Sequence, residues 1–324
     1  MNELKNTDPD KGPEEREGES EKNNNNSSVN HIFPKISPIA AGIMGLVGVF
    51  ILYQIAGSGL ILIIFGLNYK TAPINSVRLI TMASQLLFIL LPALVLSKLV
   101  YEDVTTIIRA HLPKIEEILL FSLGIVLLFP LLNNLMAIQN YFLDFLAKNS
   151  TFIHSIKVSV DKLNEVVNET YGNLLSGNTL TDKIMIVLVA CVVPPLCEET
   201  MFRGFIQRSF EFRLKPFWAA GITAVFFALY HVNPYGLIAL FILGFYFGFA
   251  AYTTESIVVP MILHFLNNFV QVILIFIYGD QEIFNTGITK NFDLMSSLST
   301  FFLLAIVFAA LIYLIKKYYS KNKI

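Results

Sequence analysis

The sequence predicts an all-α fold: a polytopic transmembrane helix bundle of about eight spans, with a polar site inside the bundle. Three observations carry this reading. The 324 residues are 55% hydrophobic, with a mean hydropathy of +0.62. Charged residues make up 15%, against about 25% in ordinary soluble domains. The apolar residues gather into runs of about 20, the length a helix needs to cross a ~30 Å hydrocarbon core. The net charge of −1 points to no nucleic-acid partner. The two cysteines, Cys191 and Cys197, share one apolar segment, where they read as small apolar filler and not as a disulfide framework.

Residues 1–35 are rich in Glu, Asn, Lys and Ser and almost free of apolar side chains. Such a stretch cannot bury enough surface to order itself, so a disordered, solvated acidic tail is expected. It has no basic-then-apolar start of the kind a signal peptide carries. The expected spans then follow: about 39–67, 79–99, 118–137, 184–210, 217–232, 237–252, 257–278 and 298–315. The first is long enough to tilt, or to break near Gly57-Ser58-Gly59. Eight crossings put both ends on one side. Sixteen of the 23 Lys and Arg residues fall in segments on the side of the tail, Arg109 among them, and seven on the other, Arg78 among them. The excess of cations predicts a multi-pass protein of the cell membrane with both termini cytoplasmic. Residues 100–117 read as a short interfacial helix, and 138–183 as a long outer connection with amphipathic helical patterning that lies on the membrane. His111 and His154 are expected in surface loops.

The chemistry is concentrated in Pro194-Pro195-Leu196-Cys197-Glu198-Glu199-Thr200-Met201-Phe202-Arg203, at the end of an apolar run. An ionised acid inside a membrane is costly without a partner and marks function by default. Glu199 precedes Arg203 by four residues, so these two can pair on one helix face in a supporting role. Glu198 is rotated about 100° away and has no obvious partner on its own helix. The other polar groups placed within spans are His231, at the end of Phe227-Ala228-Leu229-Tyr230-His231, and His264 with Asn268, four apart on one face. Each should face the bundle interior. Together they can enclose a water: Glu198 with His231 can deprotonate it, and His264 with Asn268 can donate to the oxyanion of a tetrahedral intermediate. The same Glu198, His231 and His264 could instead hold zinc with one open position. Interhelical hydrogen bonding is the simplest alternative. A transporter would show internal repeats, and none is visible. There is no His-Glu-x-x-His motif, and Gly279-Asp280 lacks a second membrane aspartate.

At these residues the chain resembles the CAAX protease and bacteriocin-processing family, the relatives of the type II CAAX prenyl endopeptidase. The family pattern of Glu-Glu-x-x-x-Arg, Phe-x-x-x-His and His-x-x-x-Asn reads here as Glu198-Glu199 to Arg203, Phe227 to His231, and His264 to Asn268. The run from Leu243-Gly244 to Pro260 is similar as well. The resemblance covers about residues 180–275, and residues 1–110 carry none. It implies an intramembrane endopeptidase acting on a hydrophobic peptide or membrane protein in contact with lipid. By position, Glu198 and His231 activate water, His264 and Asn268 form the oxyanion site, and Glu199 and Arg203 support them. It puts a metal-free mechanism before a zinc-dependent one. It divides the chain into N-terminal helices and amphipathic loops at 36–180, a catalytic core at 181–275, and a C-terminal loop, last span and basic tail at 276–324. The Asn-, Lys- and Ile-rich composition points to a low-GC bacterium, where relatives serve peptide maturation, self-immunity or regulated proteolysis. A non-catalytic immunity or scaffold protein is the alternative of a different class.

Overall fold

The computed structural model describes residues 34–66, 72–279 and 292–322. All but the last two residues of the expected tail, and Asp280, lie outside the described residues. The elements are helical throughout. In chain order they are α1 (Pro38–Phe65), α2 (Ile74–Tyr101), the single-turn α3 (Val104–Ile108), α4 (Ile115–Asn149) and α5 (Thr151–Leu175). They continue with α6 (Leu180–Glu211), α7 (Pro216–Tyr230), α8 (Leu237–Thr254), α9 (Val258–Tyr278) and α10 (Leu294–Asn322).

Among the described residues, seven helices are long and apolar enough to cross a membrane. The fifth expected span, α7, has only 15 residues. That is about 22 Å at 1.5 Å per residue, short of the hydrocarbon thickness. It still reverses the chain, packing along α8 through the 231–236 turn. As a result, the first and last described helices end at the same face. The Lys35 N–H donates to Val100 O at 2.9 Å, and the Tyr319 hydroxyl donates to Glu117 Oε1 at 2.6 Å. Both acceptors flank the short 102–114 connection.

Several sequence expectations change. The first span is not broken at Gly57; α1 runs through, with a widened π turn over Tyr53–Gly57. The expected interfacial helix shrinks to five residues, capped by the Asp103 carboxylate, which accepts from Thr106 N–H at 3.1 Å. Arg109 then takes a left-handed conformation (φ 56) and is buried. Its side chain pairs with Glu211 and, at 3.1 Å, with Glu255, while its carbonyl accepts from Ile257 N–H. A cation counted as a loop charge is thus the clasp joining the C-terminal ends of α6 and α8 to the start of α9. Arg78, counted as an outer charge, is also buried. It donates to Leu174 O, Ser176 O and Asp182, pinning the end of α5 to α2 and α6. The expected outer connection is mostly two helical pieces: the continuation of α4 to Asn149, and α5. His154 lies exposed on α5 and not in a loop; His111 is in a loop, as expected.

Candidate active site

The site grows from α6. Pro194 and Pro195 offer no N–H to the helical ladder, and wider π turns stand on either side of them, at Val187–Val192 and Thr200–Gln207. The second of these is fully buried. It carries Arg203 and Gln207 towards α8, whose glycines leave room for them. Arg203 Nη2 donates to Gly244 O at 2.9 Å, and Gln207 Nε2 donates to Gly248 O at 3.0 Å. A Cβ at Gly244 would sit 2.8 Å from Phe227 Cδ1 and 3.3 Å from Arg203 Nη2.

Glu199 is fully buried and is the hub. Its Oε1 accepts from Arg203 Nη1 at 3.0 Å and from His264 Nδ1 at 2.8 Å. The Arg203 guanidinium lies over the Phe227 ring, 4.4 Å from its centroid, with Phe247 at 5.4 Å. The same two rings hold His264, stacked on Phe247 at 5.2 Å and edge-on to Phe227 at 5.9 Å. Cation–π contact of this kind is favourable where water is excluded. Phe227 also serves His231: the rings are 4.6 Å apart, and the His231 Nδ1–H donates to the Phe227 carbonyl at 2.7 Å.

These bonds set the histidine tautomers. A carbonyl and a carboxylate can only accept, so Nδ1 carries the proton in both rings. In each ring Nε2 remains for chemistry, an arrangement in which the outer partner orients the working nitrogen. Asn268 donates one amide N–H to Ala190 O at 2.8 Å, and its Oδ1 accepts from Asn267 at 3.2 Å. Its second N–H stays available.

The structure therefore joins Glu199, Arg203 and His264 directly, brings in His231 through Phe227, and places Asn268 one turn beyond His264. Glu198 stands apart from this network. It is half-buried, and its Oε2 has no hydrogen-bond partner among the described residues. No three His, Cys, Asp or Glu side chains there form a ready metal-ligand group. Sequence reasoning gave Phe227, Gly244, Gln207 and Gly248 no separate role. The Gly-x-x-x-Gly spacing on α8, opposite polar residues four apart on α6, was the available signal.

The fold and this site define a polytopic α-helical membrane protein with a buried acid–arginine–histidine cluster in its bundle. Residues 180–270 match the family model described as type II CAAX prenyl endopeptidase Rce1-like, so the resemblance read from the motifs holds for that stretch. It contains every site residue named so far. No curated protein and no solved structure matches the chain.

Proposed function

We propose that the protein is an intramembrane endopeptidase of the Rce1-like type, hydrolysing a peptide bond of a hydrophobic or membrane-associated peptide with a water activated by Glu198. The observation that carries this is the division of labour between neighbouring acids. Glu199 is consumed in orienting His264 and Arg203, whereas Glu198 keeps an unpaired buried oxygen.

In this reading Glu198 takes a proton from water as the water oxygen attacks the scissile carbonyl carbon. His231, through Nε2, helps position that water. Asn268, with its remaining N–H, and His264, held in place by Glu199, form the oxyanion site. Collapse of the intermediate breaks the C–N bond, and the proton held by Glu198 passes to the leaving amine. General acid–base transfer of this kind contributes about 10²–10⁴-fold, and each oxyanion donor a comparable factor.

A zinc-dependent version is the second reading. It rests on His231 and His264, whose Nδ1 bonds leave Nε2 free, although with Glu198 they do not form a three-ligand group as the described side chains stand. With Glu198 they would supply three ligands and leave one position for water, and zinc would polarise that water. The experiment is cleavage of a lipidated or hydrophobic peptide library by the purified protein in detergent, with and without a chelator, for wild type, Glu198→Gln and His264→Ala. Cleavage by wild type alone, indifferent to chelator, supports the glutamate mechanism. Loss with chelator and recovery with zinc favours the metal. A wild-type cellular phenotype from Glu198→Gln, with no cleavage by any form, favours an immunity or scaffold role. Location in the cell membrane with both ends cytoplasmic is part of this proposal, supported by the cation distribution and the shared face of the chain ends.

A further inference from the structure

The family match leaves out α1 and α2, yet these helices bring polar groups to Glu198. Tyr53 of α1 is half-buried. Its ring lies beside the Gln85 turn of α2, since a Cβ at Gly57 would sit 3.5 Å from both the Tyr53 ring and Ser84, and the phenol lies within the electrostatic reach of Gln85 and of the Glu198 carboxylate. Gln85 is 8% exposed, and its Oε1 has no hydrogen-bond partner among the described residues. The amide oxygen is thus open to a donor, and the phenol O–H beside it can donate to an acceptor. Next to Gln85, Ser84 is 3% exposed and its hydroxyl also lacks a partner. Unsatisfied buried groups are uncommon and ask for an explanation.

The backbone marks the same place. The π turn of α1 begins at Tyr53, and that of α2, Leu86–Leu90, begins directly after Gln85. Such turns are rare and collect at functional sites. These two pack on one another, and the second packs on Val193–Glu199, the turn that carries Glu198.

A phenol O–H and a free amide oxygen side by side are the complement of one residue of an extended backbone, whose own C=O acceptor and N–H donor face the same side. We infer that Tyr53 and Gln85 bind the substrate backbone beside Glu198: the Tyr53 O–H donates to a peptide carbonyl, and Gln85 Oε1 accepts a peptide N–H. The inference rests on the peptidase reading and extends the site beyond the family-matched segment.

The test compares wild type, Tyr53→Phe, Gln85→Leu and the double variant. KM and kcat are measured on a cleaved hydrophobic peptide. The Kd of a fluorescent version is measured with the same changes in the Glu198→Gln background, and Tm in detergent is followed in parallel. One lost neutral hydrogen bond is expected to raise KM and Kd about 3–10-fold. We expect kcat and Tm to stay near wild type, and the double variant to fall short of the product of the singles. Unchanged KM and Kd in Tyr53→Phe overturn the inference, as do losses that simply follow Tm. If wild type fails to cleave, the peptidase reading falls, and the Kd comparison alone still decides the role of Tyr53 and Gln85.

Discussion

Glu199 and His264, 65 positions apart, share a 2.8 Å hydrogen bond in a fully buried setting. That bond closes the contact between α6 and α9 and fixes which histidine nitrogen is free. It also separates two adjacent glutamates into different trades, one structural and orienting, the other with an open oxygen.

Glu198→Gln should abolish cleavage, by at least about 10²-fold, with Tm close to wild type, because Glu198 Oε2 has no bond to lose. Glu199→Gln should abolish cleavage and also destabilise. Removing one member of a buried ion pair strands the other, here Arg203, at a cost of about 3–5 kcal/mol. Parallel activity and thermal-unfolding measurements in detergent check both. Equal Tm losses in the two variants would contradict the assignment.

Gly244→Ala should cost about 1–3 kcal/mol through overpacking and lower activity, since the added carbon meets Phe227 at 2.8 Å and crowds Arg203. Gly221→Ala is the control. Its added carbon would find Phe245 at an ordinary 3.7 Å, so stability should hold or rise slightly.

The docking of α5 should depend on pH only in acid. Asp161 accepts from Lys157 at 2.8 Å and from the Tyr235 hydroxyl in the α7–α8 turn. Burial raises its pKa, but the bonds from Lys157 and Tyr235 outweigh burial and hold it below the ordinary aspartate value. A depressed folded pKa gives stability that is present above the unfolded value of about 3.9 and lost as pH falls through the folded value. The protection of α5 amides relative to their intrinsic exchange rate should therefore be flat from neutral pH down to about pH 4 and fall below it. Asp161→Asn should show faster exchange already at neutral pH and a weaker acid response.

Single cysteines introduced at Ser37 and Lys317 should both stay unlabelled by a membrane-impermeant thiol reagent in intact cells and both react once the cells are permeabilised, as cytoplasmic positions do. Labelling from opposite sides would show that α7 with its turn does not return the chain across the bilayer.

Fold class and span positions were legible in the sequence because a ~30 Å apolar solvent demands long, uninterrupted hydrophobic helices, and seven of the eight expected spans meet that length. The order of the motifs was legible too, since intramembrane acids and histidines are few and stand out against apolar runs. Even the Glu199–Arg203 pair followed from four-residue spacing along one helix. Helical period, however, fixes positions relative to their own helix and not the rotation of that helix against its neighbours. The tertiary structure alone decided that Glu199 meets His264, and that Arg203 reaches Gly244 O across 41 positions. It also decided that Arg78 and Arg109 are buried clasps instead of loop charges, and that the turns beginning at Tyr53 and just after Gln85 pack together, the second against the turn that carries Glu198. Those contacts depend on close packing between helices, where a glycine or a widened turn sets how near two backbones come, and no one-dimensional spacing carries that information.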